Sequence, residues 1–214
     1  RKAKSRDPIS AKLVANMITA AGADRVLTMD LHAAQIQGFF DIPVDHLYAA
    51  PVLIRHLREH YVKDLQNLVV VSPDVGGVKM ARAYSDALGA ELAIVAKHRV
   101  NATHVEAMNV IGDVEGRDAV LIDDMTETAG TLCAAANILK ERGAQRVFAC
   151  VSHGVLGDMA RERIAGSCIE RVLTSDTVPM AYGPKVDCIS VGDLLGHAVQ
   201  RIHDGESVSS LFDI

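Results

Sequence analysis

The chain has 214 residues, of which 49% are hydrophobic and 23% charged, so it has enough apolar material for a globular core in one large domain or two smaller ones. Its formal net charge is −5, aromatic residues make up 4% and Trp is absent, so neither a basic surface nor stacking platforms are available and we expect no nucleic-acid partner. No apolar run is long enough to span a membrane, no signal peptide opens the sequence, and no two of the four Cys form a CxxC pair. These features predict a cytoplasmic protein with reduced thiols and no membrane partner.

Apolar strand-like segments alternate with segments of helical periodicity along the chain. The predicted elements in chain order are a helix that starts at Asp7-Pro8 and is closed by Gly22, strand 25–29, helix 52–61, strand 68–72, a helix ending at Leu88, strand 91–96, strand 119–122, helix 131–142, strand 146–152, strands near Arg171 and Cys188, and helix 192–203. Continuous apolar strands separated by helices predict an α/β fold, with a parallel sheet covered by helices on both faces. In such sheets, ligands bind beyond the carboxyl ends of the strands.

The strand at 119–122 leads directly into two adjacent carboxylates, within the sequence VLIDDMTETAGTL (residues 120–132). Asp123 and Asp124 repel each other, so they need a metal ion, a cation or hydroxyl donors, and the vicinal diol of a ribose supplies two such donors. The following segment, 127–131, enters a helix whose N–H groups and Thr hydroxyls suit a phosphate. This pattern favours a sugar-phosphate site over a capped helix after a solvated turn.

A second strand end, at Pro73 to Gly77, has the sequence PDVGG. Gly76 and Gly77 allow the backbone to approach an anion such as a diphosphate, and Asp74 offers oxygen ligands to Mg²⁺. The alternative is an ordinary turn. The sequence contains neither GxxxxGK[ST] nor GxGxxG, which disfavours P-loop NTPases and Rossmann dehydrogenases.

Two weaker signals complete the set of polar strand ends. Asp30 and His32 lie two positions apart after strand 25–29, and indicate either a Mg²⁺ or phosphate contact or an ordinary surface loop. Lys97 and Arg99 begin a polar stretch, through about Met108, that lacks clear periodicity. We expect a mobile loop there, which either closes its two cations over phosphates or is simply solvated.

Taken together, these motifs resemble the ribose-phosphate diphosphokinase family, also called phosphoribosyl pyrophosphate (PRPP) synthetases. The stretch DDMTETAGT resembles the PRPP-binding signature of that family. Four further stretches match other parts of the family's sequence, namely TMDLHAAQIQGFFDIPVDHLYA (28–49), VVVSPDVGGVKMAR (69–82), EAMNVIGDVEG (106–116) and RIHDGESVSSLF (201–212). The resemblance covers essentially the whole chain.

The resemblance implies two type I phosphoribosyltransferase-like domains. Residues 1–50, with 201–214 returning to them, would be the remainder of the N-terminal domain, and residues 51–200 would form the C-terminal domain. In the family, the sequence ARQDRK lies about a third of the way along the chain. This chain begins at the final Arg-Lys, so the resemblance implies that most of an N-terminal domain is absent from the sequence.

The resemblance also implies roles for single residues, carried over from the matching motifs. It implies ribose binding by Asp123 and Asp124; phosphate binding by Glu127, Thr128, Ala129, Gly130 and Thr131; diphosphate binding by Asp74, Gly76 and Gly77; Mg²⁺ ligation by His32 and Asp74, with Asp30 nearby; catalysis by Lys97 and Arg99; and a regulatory phosphate or ADP site at Gln37, Asp45, Ser207, Ser209 and Ser210. Glu127 departs from the family pattern, which usually has Asp at this position.

The reaction that the resemblance implies is diphosphoryl transfer from ATP to ribose 5-phosphate, with Mg²⁺ as cofactor and a homohexamer as the assembly. One alternative is a phosphoribosyltransferase that consumes PRPP, which shares the ribose and phosphate segments but does not need Lys97 and Arg99. A second alternative is a non-catalytic regulatory paralogue, which Glu127 favours mildly. The presence of Lys97, Arg99, His32 and Asp74 argues against that second alternative.

Overall fold

The computed structural model describes residues 9–101, 104–179 and 183–211, with the side chains of 97–101 and 104–108 outside the description. The predicted helix start at Asp7-Pro8 lies outside the described residues. The chain divides into two compact units. Unit 1 holds the described residues up to Ala49 and from His197 onward, and unit 2 holds residues 50–196. The assignment of phosphoribosyltransferase-like domains to these regions stays a prediction.

Unit 1 is built around one pair of short parallel strands. Its elements are α1 (Ser10–Ala20), β1 (Val26–Met29), a 3₁₀ helix (Ala34–Phe39), β2 (Val44–Leu47), the last part of α6 (Gly192–His203) and a second 3₁₀ helix (Ser209–Leu211). β1 and β2 pair with Val26 opposite Val44. The chain leaves α1 through Gly22, whose φ of 97° is rarely adopted by a residue with a side chain.

Unit 2 is built around a seven-stranded sheet in the order β5-β4-β3-β6-β7-β8-β9. Neighbouring strands pair in parallel, except β4 and β5, which form an antiparallel hairpin. Its elements are α2 (Ala50–His60), β3 (Leu68–Ser72), α3 (Val78–Leu88), β4 (Glu91–Asn101), β5 (His104–Ile111), β6 (Asp118–Thr126), α4 (Gly130–Glu141), β7 (Arg146–Gly154), α5 (Asp158–Gly166), β8 (Arg171–Ser175), β9 (Val186–Ile189) and the first part of α6 (Gly192–His203).

Helices cover both faces of this sheet, which confirms the predicted α/β fold. On one face, alternate strand residues such as Val71 and Leu121 pack with Leu132 of α4 and Ile164 of α5 in a single buried cluster. The buried side chains of α2 and α3 lie outside this cluster and cover the other face, where α3 contacts β3, β4 and β6. The central strands are buried on both sides, and this explains their uninterrupted apolar sequences.

The structure differs from the predicted elements in three places that concern the candidate site, and the first is helix α5 (Asp158–Gly166), which no predicted element covered. β6 does not end at Ile122 but continues to Thr126, because it keeps pairing with β7 as far as Gly154. The predicted loop at 97–108 was wrong, since the backbone forms the β4–β5 hairpin, with Asn101 opposite His104.

None of the helices in the described part of the chain combines the length and the apolar character that crossing a lipid bilayer requires.

Candidate functional site

Two of the predicted segments meet at the carboxyl edge of the unit 2 sheet. β3 and β6 pair in parallel with Val71 opposite Leu121, so the segment after Ser72 and the end of β6 lie side by side. A Cβ at position 77 would lie 3.9 Å from the carbonyl oxygen of Ile122. Motifs separated by about 50 residues of sequence therefore form one surface, as expected for a parallel sheet.

Loop 73–77 is held in a tight conformation by its own polar groups. The Ser72 hydroxyl donates to the carbonyl oxygen of Asp74 at 2.6 Å, and the Gly77 N–H donates to Oδ1 of Asp74 at 3.0 Å. A Cβ at position 77 would lie only 2.9 Å from Oγ of Ser72, and one at position 76 would lie 3.2 Å from Oδ1 of Asp74. Glycine at position 77 is thus required by close approach, while the Asp74 side chain stays exposed to solvent.

Asp123 and Asp124 form an interacting carboxyl pair, as their sequence positions suggested. Both are half-buried, and the Asp124 N–H donates to Oδ1 of Asp123 at 3.0 Å. Burial raises the pKa of Asp123 to about 7, with further contributions from a side-chain hydrogen bond to Asp124, the charge of Asp124 and the charge of Asp74. Below about pH 7, the pair therefore retains a proton that an ordinary Asp loses near pH 3.8.

Loop 127–131 follows β6 and enters α4 through an unusual backbone conformation. Ala129 is the N-cap residue, with φ 55° and ψ 13°, and its methyl group is buried in the core. Because Ala has no hydrogen-bonding side chain, it caps none of the first-turn N–H groups of α4, and the first turn contains no acidic residue. The side chains of Glu127 and Thr128 are exposed. The helix start therefore has the open N–H groups that suit an anion.

Arg163 of α5 is a neighbour of this loop that the sequence analysis missed. Its Nη1 donates to the carbonyl oxygen of Thr128 at 3.0 Å, and a Cβ at position 130 would lie 3.3 Å from the same nitrogen. The side chain reaches the loop from 35 positions further along the chain. The only sequence signal is a basic residue in a short helix, and Arg163 remains exposed to solvent while it makes this contact.

The two predicted catalytic cations lie on the outer hairpin of the same sheet. Lys97 and Arg99 belong to β4, where they pair with Met108 and Glu106 of β5. Their side chains lie outside the described part of the structure, so their catalytic role stays a prediction.

Asp30 and His32, two of the three predicted Mg²⁺-linked residues, lie in unit 1. Asp30 is 3% exposed, has a left-handed φ of 41°, and accepts the Ala49 N–H at 2.9 Å through Oδ2. His32 is exposed. The burial of Asp30 gives its carboxylate a structural task in the turn after β1. The metal-binding role of both residues stays a prediction.

Four of the five predicted regulatory residues line one cavity of about 550 Å³ within unit 1. Asp45 accepts two hydrogen bonds from Arg25, at 2.6 and 3.1 Å, and the Gln37 amide nitrogen lies 3.1 Å from Nδ1 of His46. The residues that line the cavity are Arg25, Gln37, Val44, Asp45, His46, Tyr48, Glu206, Ser207, Val208 and Ser209. Ser210 is exposed and does not line it. A regulatory function of this cavity stays a prediction.

Hard oxygen donors dominate the carboxyl edge of unit 2. Asp74 and the Asp123–Asp124 pair suit Mg²⁺ by their chemistry. Across the described residues, however, no group of three or more His, Cys, Asp or Glu side chains is arranged to hold a metal ion. Any cation at this edge would therefore take part of its coordination from a bound ligand or water.

Comparison with known proteins gives consistent matches. Residues 98–213 match the phosphoribosyl synthetase-associated domain family. The chain is 52% identical over 215 residues to a ribose-phosphate pyrophosphokinase of Chlorobaculum tepidum, covering 100% of this chain and 66% of that protein. It is 53% identical over 215 residues to that of Clostridium perfringens, covering 99% of this chain and 67% of that protein.

A solved structure gives the same result at the level of the fold. The phosphoribosylpyrophosphate synthetase of Mycobacterium smegmatis superposes with a TM-score of 0.88 at 40% identity, covering 96% of this chain and 67% of that chain. The present chain thus spans about two thirds of the length of the proteins it matches.

Proposed function

The chain belongs to the ribose-phosphate pyrophosphokinase family, and we propose that its protein transfers the diphosphoryl group of ATP to the anomeric hydroxyl of ribose 5-phosphate, giving PRPP and AMP. The observation that carries this proposal is the meeting of three polar segments at one edge of a sheet. These segments are loop 73–77, the Asp123–Asp124 pair and loop 127–131. They suit the three polar groups of the two substrates, which are the diphosphoryl group of ATP and the diol and monophosphate of ribose 5-phosphate.

In this proposal, ribose 5-phosphate binds across the end of β6. The 5-phosphate accepts hydrogen bonds from the open N–H groups at the start of α4 and from the hydroxyls of Thr128 and Thr131. The ribose hydroxyls donate to the carboxylates of Asp123 and Asp124. Two hydroxyl donors offset the repulsion within that pair, so binding favours its fully ionised form.

The transfer step then requires mainly positioning. The anomeric oxygen forms a bond to the β-phosphorus of ATP, the bond from that phosphorus to the α–β bridging oxygen breaks, AMP leaves with that oxygen, and the hydroxyl proton passes to solvent. Loop 73–77 accommodates the transferred diphosphate beside its two glycines. Lys97 and Arg99 supply cations for the charge that develops on the transferred group.

Mg²⁺ bound with the nucleotide would neutralise part of the phosphate charge. Asp74 is the unit 2 residue that we assign to it, because its exposed carboxylate lies at the loop that receives the diphosphate. Mg²⁺ in such sites is usually held by one or two carboxylates, with water and substrate phosphates completing its coordination. The homohexamer and the cytoplasmic location implied by the family resemblance stay predictions.

The direct test is product identity. With ATP, Mg²⁺ and ribose 5-phosphate, the protein should form AMP and PRPP, and AMP formation should stop when ribose 5-phosphate is omitted. Release of diphosphate from PRPP and a nucleobase, without AMP formation from ATP, would instead identify a phosphoribosyltransferase. Neither activity, together with altered turnover of an added catalytic subunit, would identify a regulatory paralogue.

Substitution of Thr131 tests the phosphate assignment separately. Thr131→Val keeps the shape of the side chain and removes its hydroxyl, and loss of one charge-assisted hydrogen bond costs about 1.5–3 kcal/mol. We expect the dissociation constant for ribose 5-phosphate to rise by roughly tenfold or more. Unchanged binding would show that the phosphate does not lie at this helix start.

A further inference from the structure

We propose that Arg163 of α5 is a positioning residue for ribose 5-phosphate, which holds loop 127–131 in its anion-binding conformation by binding the Thr128 carbonyl. The inference rests on the proposed function, because it takes that loop as the binding site of the 5-phosphate. It adds a residue from a separate helix to the loop and assigns it a defined geometric task.

The first step is the backbone conformation of the loop. Ala129 is left-handed, while Gly130, the next residue, is helical. Successive N–H groups in this alternation of left- and right-handed conformations turn towards a common centre and form a concave anion site. A left-handed conformation at a non-glycine residue persists only when its surroundings hold it there.

The second step is the contact that holds it. The carbonyl oxygen of Thr128 and the N–H of Ala129 belong to one planar trans peptide, so they point in opposite directions. Arg163 Nη1 binds that carbonyl at 3.0 Å on the α5 side. It therefore directs the Ala129 N–H away from α5, which fixes the orientation of the first donor of the loop.

The third step is the space that the sequence leaves for the guanidinium. A Cβ at position 130 would lie 3.3 Å from Nη1 of Arg163 and 3.6 Å from Oγ1 of Thr128. Only a residue without a side chain allows the guanidinium to reach the carbonyl without a shift. Gly130 does not have a left-handed φ, so its backbone conformation does not require glycine. Its missing side chain leaves space for the Arg163 guanidinium, in addition to any space it leaves for a ligand.

The fourth step is electrostatic. Arg163 brings a positive charge to the helix end that already carries the positive pole of the α4 dipole. The first turn of α4 has no acidic residue, and Glu127, the one carboxylate of the loop, is exposed to solvent. An anion at loop 127–131 would offset both positive contributions, and the 5-phosphate has the required charge.

The experiment compares ribose 5-phosphate binding, measured by calorimetry, for the parent chain and three variants. We expect Arg163→Met to raise the dissociation constant about tenfold, and Arg163→Lys, which keeps the charge and part of the donor capacity, to raise it about threefold. Arg142→Met is the matched control. It removes the same charge at the opposite end of α4, where Arg142 binds Asn109, and should stay within twofold of the parent.

A second readout separates positioning from general stability. Titration of inorganic phosphate should shift the amide resonance of Gly130 in the parent and in Arg142→Met, and the same shift should need about tenfold more phosphate in Arg163→Met. Equal binding by the parent and Arg163→Met would overturn the proposal and leave the proposed function intact. Absence of ribose 5-phosphate binding by the parent would overturn both. If Arg163→Met does not fold, parent-like binding and a parent-like Gly130 response in Arg163→Lys would overturn the proposal.

Discussion

At the residue scale, Ala129 combines an unfavourable backbone with a favourable side chain. Among the described residues, only Ala129 and Asp30 have positive φ without being glycine. A left-handed conformation costs an L-residue about 1–2 kcal/mol. The buried methyl group of Ala129, which is 1% exposed, returns about 0.8 kcal/mol. The backbone cost thus exceeds the contribution of the methyl group by up to about 1 kcal/mol, so the residue is tolerated without being optimal for stability.

We therefore expect Ala129→Gly to change the free energy of unfolding by less than about 1 kcal/mol. Ala129→Val should lower it by at least about 2 kcal/mol, because a β-branched residue fits neither the left-handed backbone nor the packed site. Urea unfolding measures both. Ala135→Gly is the control, since Ala135 is equally buried but lies inside α4, so glycine relieves no strain there. Equal losses for the two glycine variants would contradict the argument.

Asp123 gives the site a pH dependence whose direction follows from its pKa. The folded protein holds the Asp123 proton up to about pH 7, whereas an ordinary Asp releases it near 3.8. The folded state thus binds more protons than the unfolded state between these values, and stability falls as pH rises through this window. In metal-free buffer, we expect the melting temperature of Asp123→Asn to fall less between pH 5 and 8 than that of the parent. The control is Asp24→Asn at an exposed position, and its melting temperature should change with pH as that of the parent does. An Asp123→Asn profile that parallels the parent would contradict the assignment.

The residues of the candidate site divide by how they are distributed along the sequence. Asp123, Asp124 and loop 127–131 were predictable, because they are contiguous and follow an apolar strand. Arg163 was not, because its partner Thr128 lies 35 positions away and the contact exists only once α5 packs beside α4. The contact of Arg163 with the loop depends on tertiary packing, which cannot be predicted from composition or from the spacing of residues along the chain.

At the element scale, the strands of unit 2 were predicted well as far as β8 and β9, whereas the hairpin at the β5 edge of the sheet was missed. β3 matched its prediction, since all five of its residues are buried and apolar or small. The predicted strand 91–96 is the first half of β4. The rest of the β4–β5 hairpin was missed because its polar sequence lacks the alternation that indicates a strand, and antiparallel pairing forms it nonetheless. The added length of β6 likewise comes from pairing with β7.

The contact between β7 and β8 provides a test at this scale. A Cβ at Gly154, the last residue of β7, would lie 2.7 Å from Oγ1 of Thr174 in β8, so the side chain must shift. Overpacking of this kind costs about 1–3 kcal/mol, and we expect Gly154→Ala to lower the free energy of unfolding by that amount.

The double variant Gly154→Ala/Thr174→Ala should recover part of this loss, because the second change removes the clashing hydroxyl. The control is Thr174→Ala alone, which completes a double-mutant cycle in chemical denaturation. Additive effects of the two substitutions would show that the two strands do not approach as closely as described.

At the scale of the whole molecule, the predicted sugar-phosphate residues all lie in unit 2. Loop 73–77, the Asp123–Asp124 pair and loop 127–131 belong to it, whereas the cavity near Asp45 belongs to unit 1. We therefore expect ribose 5-phosphate to slow amide deuterium exchange in peptides covering 73–77 and 120–133. At a hundredfold excess over the dissociation constant, the stabilisation is about 2.7 kcal/mol, or roughly a hundredfold slower exchange through global opening of unit 2.

Peptides covering β1 and β2 serve as the internal control and should exchange at unchanged rates. Protection confined to residues around Asp45 and Ser207 would instead place the sugar phosphate in the unit 1 cavity. Exchange detected by mass spectrometry resolves these regions in one experiment.

The strand order of unit 2 also determines when the site can form during folding. Leu68 pairs with Asp118 only after the chain has passed through α3 and the whole β4–β5 hairpin, so the central contact of the sheet closes a long loop. Pairings of such large sequence separation form slowly, because the entropy of closure opposes them before packing compensates. Helices can appear early in refolding, whereas loop 73–77 and the end of β6 come together only when this pairing is made. Binding competence should therefore emerge with the slow formation of the sheet rather than with the early helical signal, and a chain arrested before that step would be helical, collapsed and unable to recognise its ligand.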